Sequence, residues 1–162
     1  MRWTFPAVAA AALFATGCGN GGGGKPLTRA ELIKRGDAIC TKYRRKNIAL
    51  QKRAPSQSPT DPLASDQTVR KAGPILAQLA DNLRGARDEL SRLKPPKAVE
   101  GRWKKTMGQY GVIASNLDDA ANAAAAVDRQ AVVNSYSKAL KVNSVLQGFE
   151  VGYGFQVCGH AQ

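Results

Sequence analysis

Ala72-Gly73-Pro74-Ile75-Leu76-Ala77-Gln78-Leu79-Ala80-Asp81-Asn82-Leu83-Arg84-Gly85-Ala86-Arg87-Asp88-Glu89-Leu90-Ser91-Arg92-Leu93 decides the fold. Ala72, Leu76, Leu79, Leu83, Ala86, Leu90 and Leu93 follow strict four-three spacing, the apolar stripe of a helix packed along its length against others. Gly73-Pro74 interrupts the front. The helix either starts near Pro74, where proline suits a first turn, or carries a kink there. Lys94-Pro95-Pro96-Lys97 then ends it.

Three more segments have helical periodicity. Upstream, Thr28-Arg29-Ala30-Glu31 has capping-box spacing, and Leu32, Gly36, Ile39, Tyr43 and Leu50 recur on one face as far as about Arg53. Ala54 to Pro62 holds three prolines and reads as loop. Downstream, Val99, Trp103, Met107, Tyr110, Leu117, Ala121 and Ala124 mark a third helix. Its alanine-rich end allows close approach of a partner. Asp128 suits the N-cap of a fourth helix, whose apolar face is Val132, Tyr136, Ala139, Leu140, Leu146 and Phe149. Val151 to Cys158 admits two readings. Phe149, Tyr153 and Val157 keep helical spacing, while Val151, Tyr153 and Phe155 alternate like a strand. Helix is preferred, because a lone strand would have no partner. Four amphipathic helices with short connections imply an all-α, antiparallel up-and-down four-helix bundle over residues 28–162. That order sets the first helix beside the fourth.

The front of the chain is of another kind. Arg2 precedes an apolar run from Phe5 to Phe14, and the small residues Ala15-Thr16-Gly17 lead to Cys18. A positive start, a short apolar core and small residues at a cleavage point are the parts of a signal peptide, and the run is too short to span a bilayer. The segment resembles the lipobox signal of bacterial lipoproteins, with Ala15 where leucine is commonest. The resemblance implies removal of residues 1–17, a diacylglycerol on the Cys18 sulfur, and residence on the extracytoplasmic face of the membrane. Stable anchoring needs two acyl chains or their equivalent. Residues 18–27, with Gly21 to Gly24, then read as a flexible tether.

With Cys18 assigned to lipid, Cys40 and Cys158 remain. In an oxidising compartment such a pair is expected to form a disulfide closing nearly the whole domain. Up-and-down order carries the end of the fourth helix toward the first, so bundle and bridge support each other. Ala38-Ile39-Cys40, the leucine-striped helix ending in Leu93-Lys94-Pro95-Pro96, and the late glycine- and aromatic-rich stretch ending at Cys158-Gly159 are similar to a group of small helical bacterial proteins. These are secreted or lipid-anchored and of unknown function. That resemblance also implies a two-cysteine bundle and brings no catalytic residue.

Beyond residue 17 the chain holds 23 basic and 12 acidic side chains, a net of +11, and ten of the basic ones fall between residues 25 and 53. Such a balance favours anionic partners, namely lipid headgroups, wall polymers or nucleic acid, and an envelope protein is a further candidate partner. The alternative is an ordinary solvated helix surface. Arg44, Arg45 and Lys46 form one candidate contact cluster. Arg102, Lys104 and Lys105 beside Trp103 form a second. Nucleic acid is not expected as a partner, given the location and the lack of an aromatic-studded basic platform.

Candidate chemistry is sparse. His160 is the sole histidine and lies near the chain end, no Cys-x-x-Cys occurs, and the paired acids Asp88-Glu89 and Asp118-Asp119 point apart around their helices. No catalytic residue, metal ligand or cofactor site is assigned. Trp103, Tyr110 and Tyr136 are candidates to line an interhelical pocket, or else are core. The function expected is a lipid-anchored, non-enzymatic binding or interaction module of the cell envelope. A carrier of apolar small molecules is the alternative.

Overall fold

The computed structural model describes residues 25–159. The signal segment, Cys18 with most of its tether, and His160 lie outside the described residues. Four helices follow in order: α1 (Arg29–Gln51), α2 (Asp66–Ser91), α3 (Glu100–Ala126) and α4 (Arg129–Tyr153), with a 3-10 turn at Lys97–Val99 leading into α3. Among the described residues there is no strand. No helix there is long and apolar enough to cross a membrane.

Local chemistry sets most of the boundaries. The Thr28 hydroxyl accepts from the Glu31 backbone N–H at 3.3 Å, and the Glu31 carboxylate accepts from the Thr28 N–H at 2.8 Å, completing the capping box. Asp128 caps α4 through the Ala131 N–H at 3.0 Å. Of the two readings of Gly73-Pro74, the start near the proline is not the one observed: helix α2 starts at Asp66 and runs through Pro74. Ser65 caps it by accepting from the Thr68 N–H at 3.1 Å, and Val69 and Ala72 bury behind that cap. Pro74 is tolerated within the helix because it and Arg70, whose carbonyl loses its donor, both face water.

Helix α1 packs on α2, α2 on α3 and α3 on α4, with the α2–α3 contact the most extensive. The main core runs through Leu32, Leu76, Leu90, Met107, Ile113, Leu117 and Leu146, and a smaller cluster of Ala64, Val69, Ala124 and Val132 closes the far end. The fourth seam, α1 against α4, is made at one end only.

At that closed end α4 stops at Tyr153, where Gly154 turns the chain at φ +106°, a conformation that favours glycine. The remainder of the segment is therefore neither helix nor strand but a turn laid back across α1. Phe155 inserts into the core, its ring stacked on Trp103 with centroids 6.0 Å apart. It fits because Gly36 of α1 has no side chain. A Cβ there would come within 2.5 Å of the Phe155 ring. The Asp37 carboxylate accepts three consecutive backbone N–H groups, from Gln156 at 2.9 Å, Val157 at 2.8 Å and Cys158 at 3.1 Å. Arg29 donates twice to the Tyr153 carbonyl, at 2.6 and 3.1 Å. The Cys40–Cys158 disulfide joins Cα atoms 5.4 Å apart across a sequence separation of 118. For a closed loop of about that size, chain entropy alone assigns roughly 4.7 kcal/mol.

Candidate functional site

Beyond the disulfide α1 and α4 stand apart, leaving a groove of about 390 Å³ between them. Its floor belongs to the two middle helices: Leu79, Leu83 and Ala86 from α2, and Tyr110, Ile113 and Leu117 from α3. Its walls carry Tyr43, Arg44, Asn47, Ile48 and Gln51 from α1, opposite Tyr136, Leu140, Asn143 and Gln147 from α4. Leu79 and Leu83 belong to the four-three stripe that predicts burial, yet both are only half-buried. The stripe names the face a helix turns inward. It does not say that a neighbour covers every turn of that face. Leu140, expected on the buried side of α4, is 51 % exposed on the groove wall, and Ile48 opposite is also exposed.

The groove closes at Glu150, beside Cys40–Cys158. This glutamate is 2 % exposed, and the Tyr110 hydroxyl donates to it at 2.7 Å. Burial pushes its carboxyl up to about 7. The nearby Asp37 charge pushes the same way, while the Tyr110 hydrogen bond works against both. Burial and the adjoining carboxyl hold Tyr110 well above the ordinary tyrosine range. Sequence reasoning missed Glu150. A single glutamate between Phe149 and Val151 reads as a solvated helix position. The available signal was its place one turn beyond Leu146 on the apolar side of α4.

The three aromatic pocket candidates divide. Tyr110 and Tyr136 line the groove. Trp103 does not: it is buried beneath Phe155 at the closed end, and its Nε1 has no partner among the described residues. It lies two turns before Tyr110 on the same face of α3, which carries it past the groove into the core.

The two basic clusters also separate. Arg44 lines the groove, Arg45 is exposed, and the Lys46 ammonium lies 4.7 Å from the centroid of the Tyr43 ring. The Tyr43 hydroxyl donates to Glu89 at 2.7 Å, and burial together with that carboxylate pushes it up to about 12. Arg102 and Lys105 line a second groove, of about 520 Å³, on the outer α3–α4 surface with Phe149 and Tyr153. Arg102 sits over the Phe149 ring at 5.5 Å. Lys104 points to solvent beside them. None of the six cations forms an ion pair among the described residues, whereas Lys42, Arg84, Arg87 and Arg129 pair with Glu89, Asp81 and Asp118, Asp88, and Asp66 respectively. Asp88-Glu89 and Asp118 are thus partly spent on surface ion pairs.

No cluster of three or more His, Cys, Asp or Glu side chains that could hold a metal occurs among the described residues. Comparison of the chain with protein-family models, with curated proteins and with solved structures finds no match.

Proposed function

We propose that this chain is a lipid-anchored, non-enzymatic binding module on the extracytoplasmic face of a bacterial membrane, and that it holds an apolar ligand in the α1–α4 groove. The observation that carries the reading is the groove itself. It exposes Leu79, Leu83, Ile48 and Leu140 where a closed bundle would bury them, and its volume lies within the range typical of ligand sites. The groove offers one carboxyl, that of Glu150, and the three phenols of Tyr43, Tyr110 and Tyr136, with no nucleophile–base pair among them, which supports binding rather than catalysis. The anchor rests on the resemblance of Ala15-Thr16-Gly17-Cys18 to a lipobox.

The test uses the secreted Cys18→Ser chain and an apolar dye whose fluorescence rises out of water. Binding is expected to saturate with one dye per chain and to be lost in Ala139→Phe, which fills the groove wall. Binding that survives Ala139→Phe in a folded protein places the dye elsewhere and overturns the reading.

A second reading, contact with an anionic surface, is favoured by Arg102, Lys105 and Arg29. They gather around Phe149 and Tyr153 at the same end of the bundle as Lys25, where the tether arrives. Each lysine or arginine held at an anionic membrane surface contributes about 1 kcal/mol. The Cys18→Ser chain should therefore bind anionic vesicles at low salt and release them as salt rises. Arg102→Glu with Lys105→Glu should weaken that binding more than Arg44→Glu with Arg45→Glu. No binding at low salt would sink this reading.

A further inference from the structure

The chain has 24 basic and 12 acidic side chains, and among the described residues Glu150 is the one buried acid and forms no ion pair with a lysine or arginine. Among the described residues, no element around it supplies a countercharge. Helix α3 supplies the neutral Tyr110 hydroxyl, and α1 supplies Asp37, a second acid. The tail supplies Gly159 and the disulfide. Arg44, the only cation lining the groove, is exposed on the α1 wall and makes no ion pair with Glu150. A buried carboxylate without a partner is strongly unfavourable, so the site holds a neutral acid until a cation arrives. Access is through the groove, since Glu150 lines its closed end.

We infer that the α1–α4 groove takes a single-chain amphiphile with an amine head, its chain lying over Leu79, Leu83, Ile113 and Leu117 and its ammonium meeting the Glu150 carboxylate at the closed end. This rests on the groove being a binding site at all. A carboxylate-headed chain of the same length would bring its charge into a buried site that faces the Asp37 carboxylate, and a neutral alcohol would gain a hydrogen bond without the charge. The asparagine and glutamine side chains of the walls leave the rest of the rim uncharged except for Arg44. Binding would proceed with transfer of the Glu150 proton to solvent, because an adjacent ammonium favours the ionised carboxyl.

The experiment titrates dodecylamine, dodecanol and dodecanoate, below their aggregation thresholds, into the Cys18→Ser chain by calorimetry. It is run at about pH 6, between the ordinary carboxyl value and that of Glu150, in two buffers of different ionisation heat. The amine is expected to bind about tenfold more tightly than the alcohol, as a charge-assisted contact allows, with dodecanoate weakest. Amine binding should release close to one proton per chain, and alcohol binding none. Glu150→Gln, which keeps an acceptor for Tyr110, should reduce the amine to the level of the alcohol and abolish the release. Equal affinities for amine and alcohol, or an amine preference that survives Glu150→Gln, overturn the inference while leaving the groove a ligand site. Failure of all three chains to bind overturns the site as well. Proton release by the unsubstituted Glu150 protein decides the matter if Glu150→Gln does not fold.

Discussion

Between Arg29 and Cys40, α1 is tied to the end of α4 by a covalent bond, five hydrogen bonds to backbone atoms and the inserted Phe155 ring. Between Tyr43 and Gln51 the same helix stands off from α4 and leaves a groove. The side chains explain the difference. At the closed end Gly36 makes room for an aromatic ring, and Asp37 provides acceptors for a turn whose N–H groups need them. Along the open stretch the facing positions are Arg44, Asn47 and Gln51 against Asn143 and Gln147, side chains that water satisfies. The apolar wall residues Ile48 and Leu140 stay exposed among these polar side chains, and the leucines beneath stay half-covered. One pair of helices thus has a latch and an opening, and the latch keeps the opening from spreading.

The largest effect should come from breaking the latch. Cys40→Ser with Cys158→Ser is expected to lose about 2–5 kcal/mol, read as a lower denaturation midpoint under oxidising conditions. Hydrogen exchange should speed up at Gln156, Val157 and Cys158 before the α2–α3 contact is affected. An unchanged midpoint would mean that Asp37 and Phe155 suffice without the covalent bond.

A comparable effect belongs to Glu150, at the border of the two regions. Its folded value of about 7 exceeds the ordinary 4.5, so the folded state holds the proton more tightly. That stabilisation is complete below the ordinary value and is lost as pH rises through about 7, roughly 3 kcal/mol in all. Chemical denaturation from about pH 4.5 to pH 8 should show the decline, and Glu150→Gln should flatten it. Glu31, Asp61 and Glu89, whose carboxyls are held below their ordinary values, act in the opposite sense at lower pH.

The smallest effect is expected in the open region. Leu140→Ser removes an exposed apolar side chain and should leave stability within about 0.5 kcal/mol. It should nonetheless weaken dye binding. A large destabilisation would show that the walls close in solution and that the opening is not a resting feature.

The boundary between legible and illegible follows sequence distance. The Thr28–Glu31 box, the Asp128 cap and the leucine stripe of α2 were readable because their partners lie within a few residues. The cysteine pairing was readable because, with Cys18 set aside, two cysteines were left. Asp37 was not, since its three donors lie 119 to 121 residues away and nothing in its neighbourhood announces them. Glu150 depends in the same way on Tyr110, forty residues earlier. Trp103 was grouped with Tyr110 and Tyr136 by residue type, where helix register would have parted them. The groove itself was invisible because a periodic stripe reports which way a helix faces, and an opening is a matter of whether its neighbours meet.

The latch also determines how the bundle carries mechanical load. Lys25 enters at the closed end, and the Leu27 N–H is bonded to the Lys94 carbonyl at 2.8 Å. A pull on the chain from that side passes into the turn after α2 through Leu27, and into α4 through Arg29, Asp37 and Cys40, before it reaches Tyr43. The walls of the groove therefore lie outside the path of the force, and tension on a tether would leave its width unchanged.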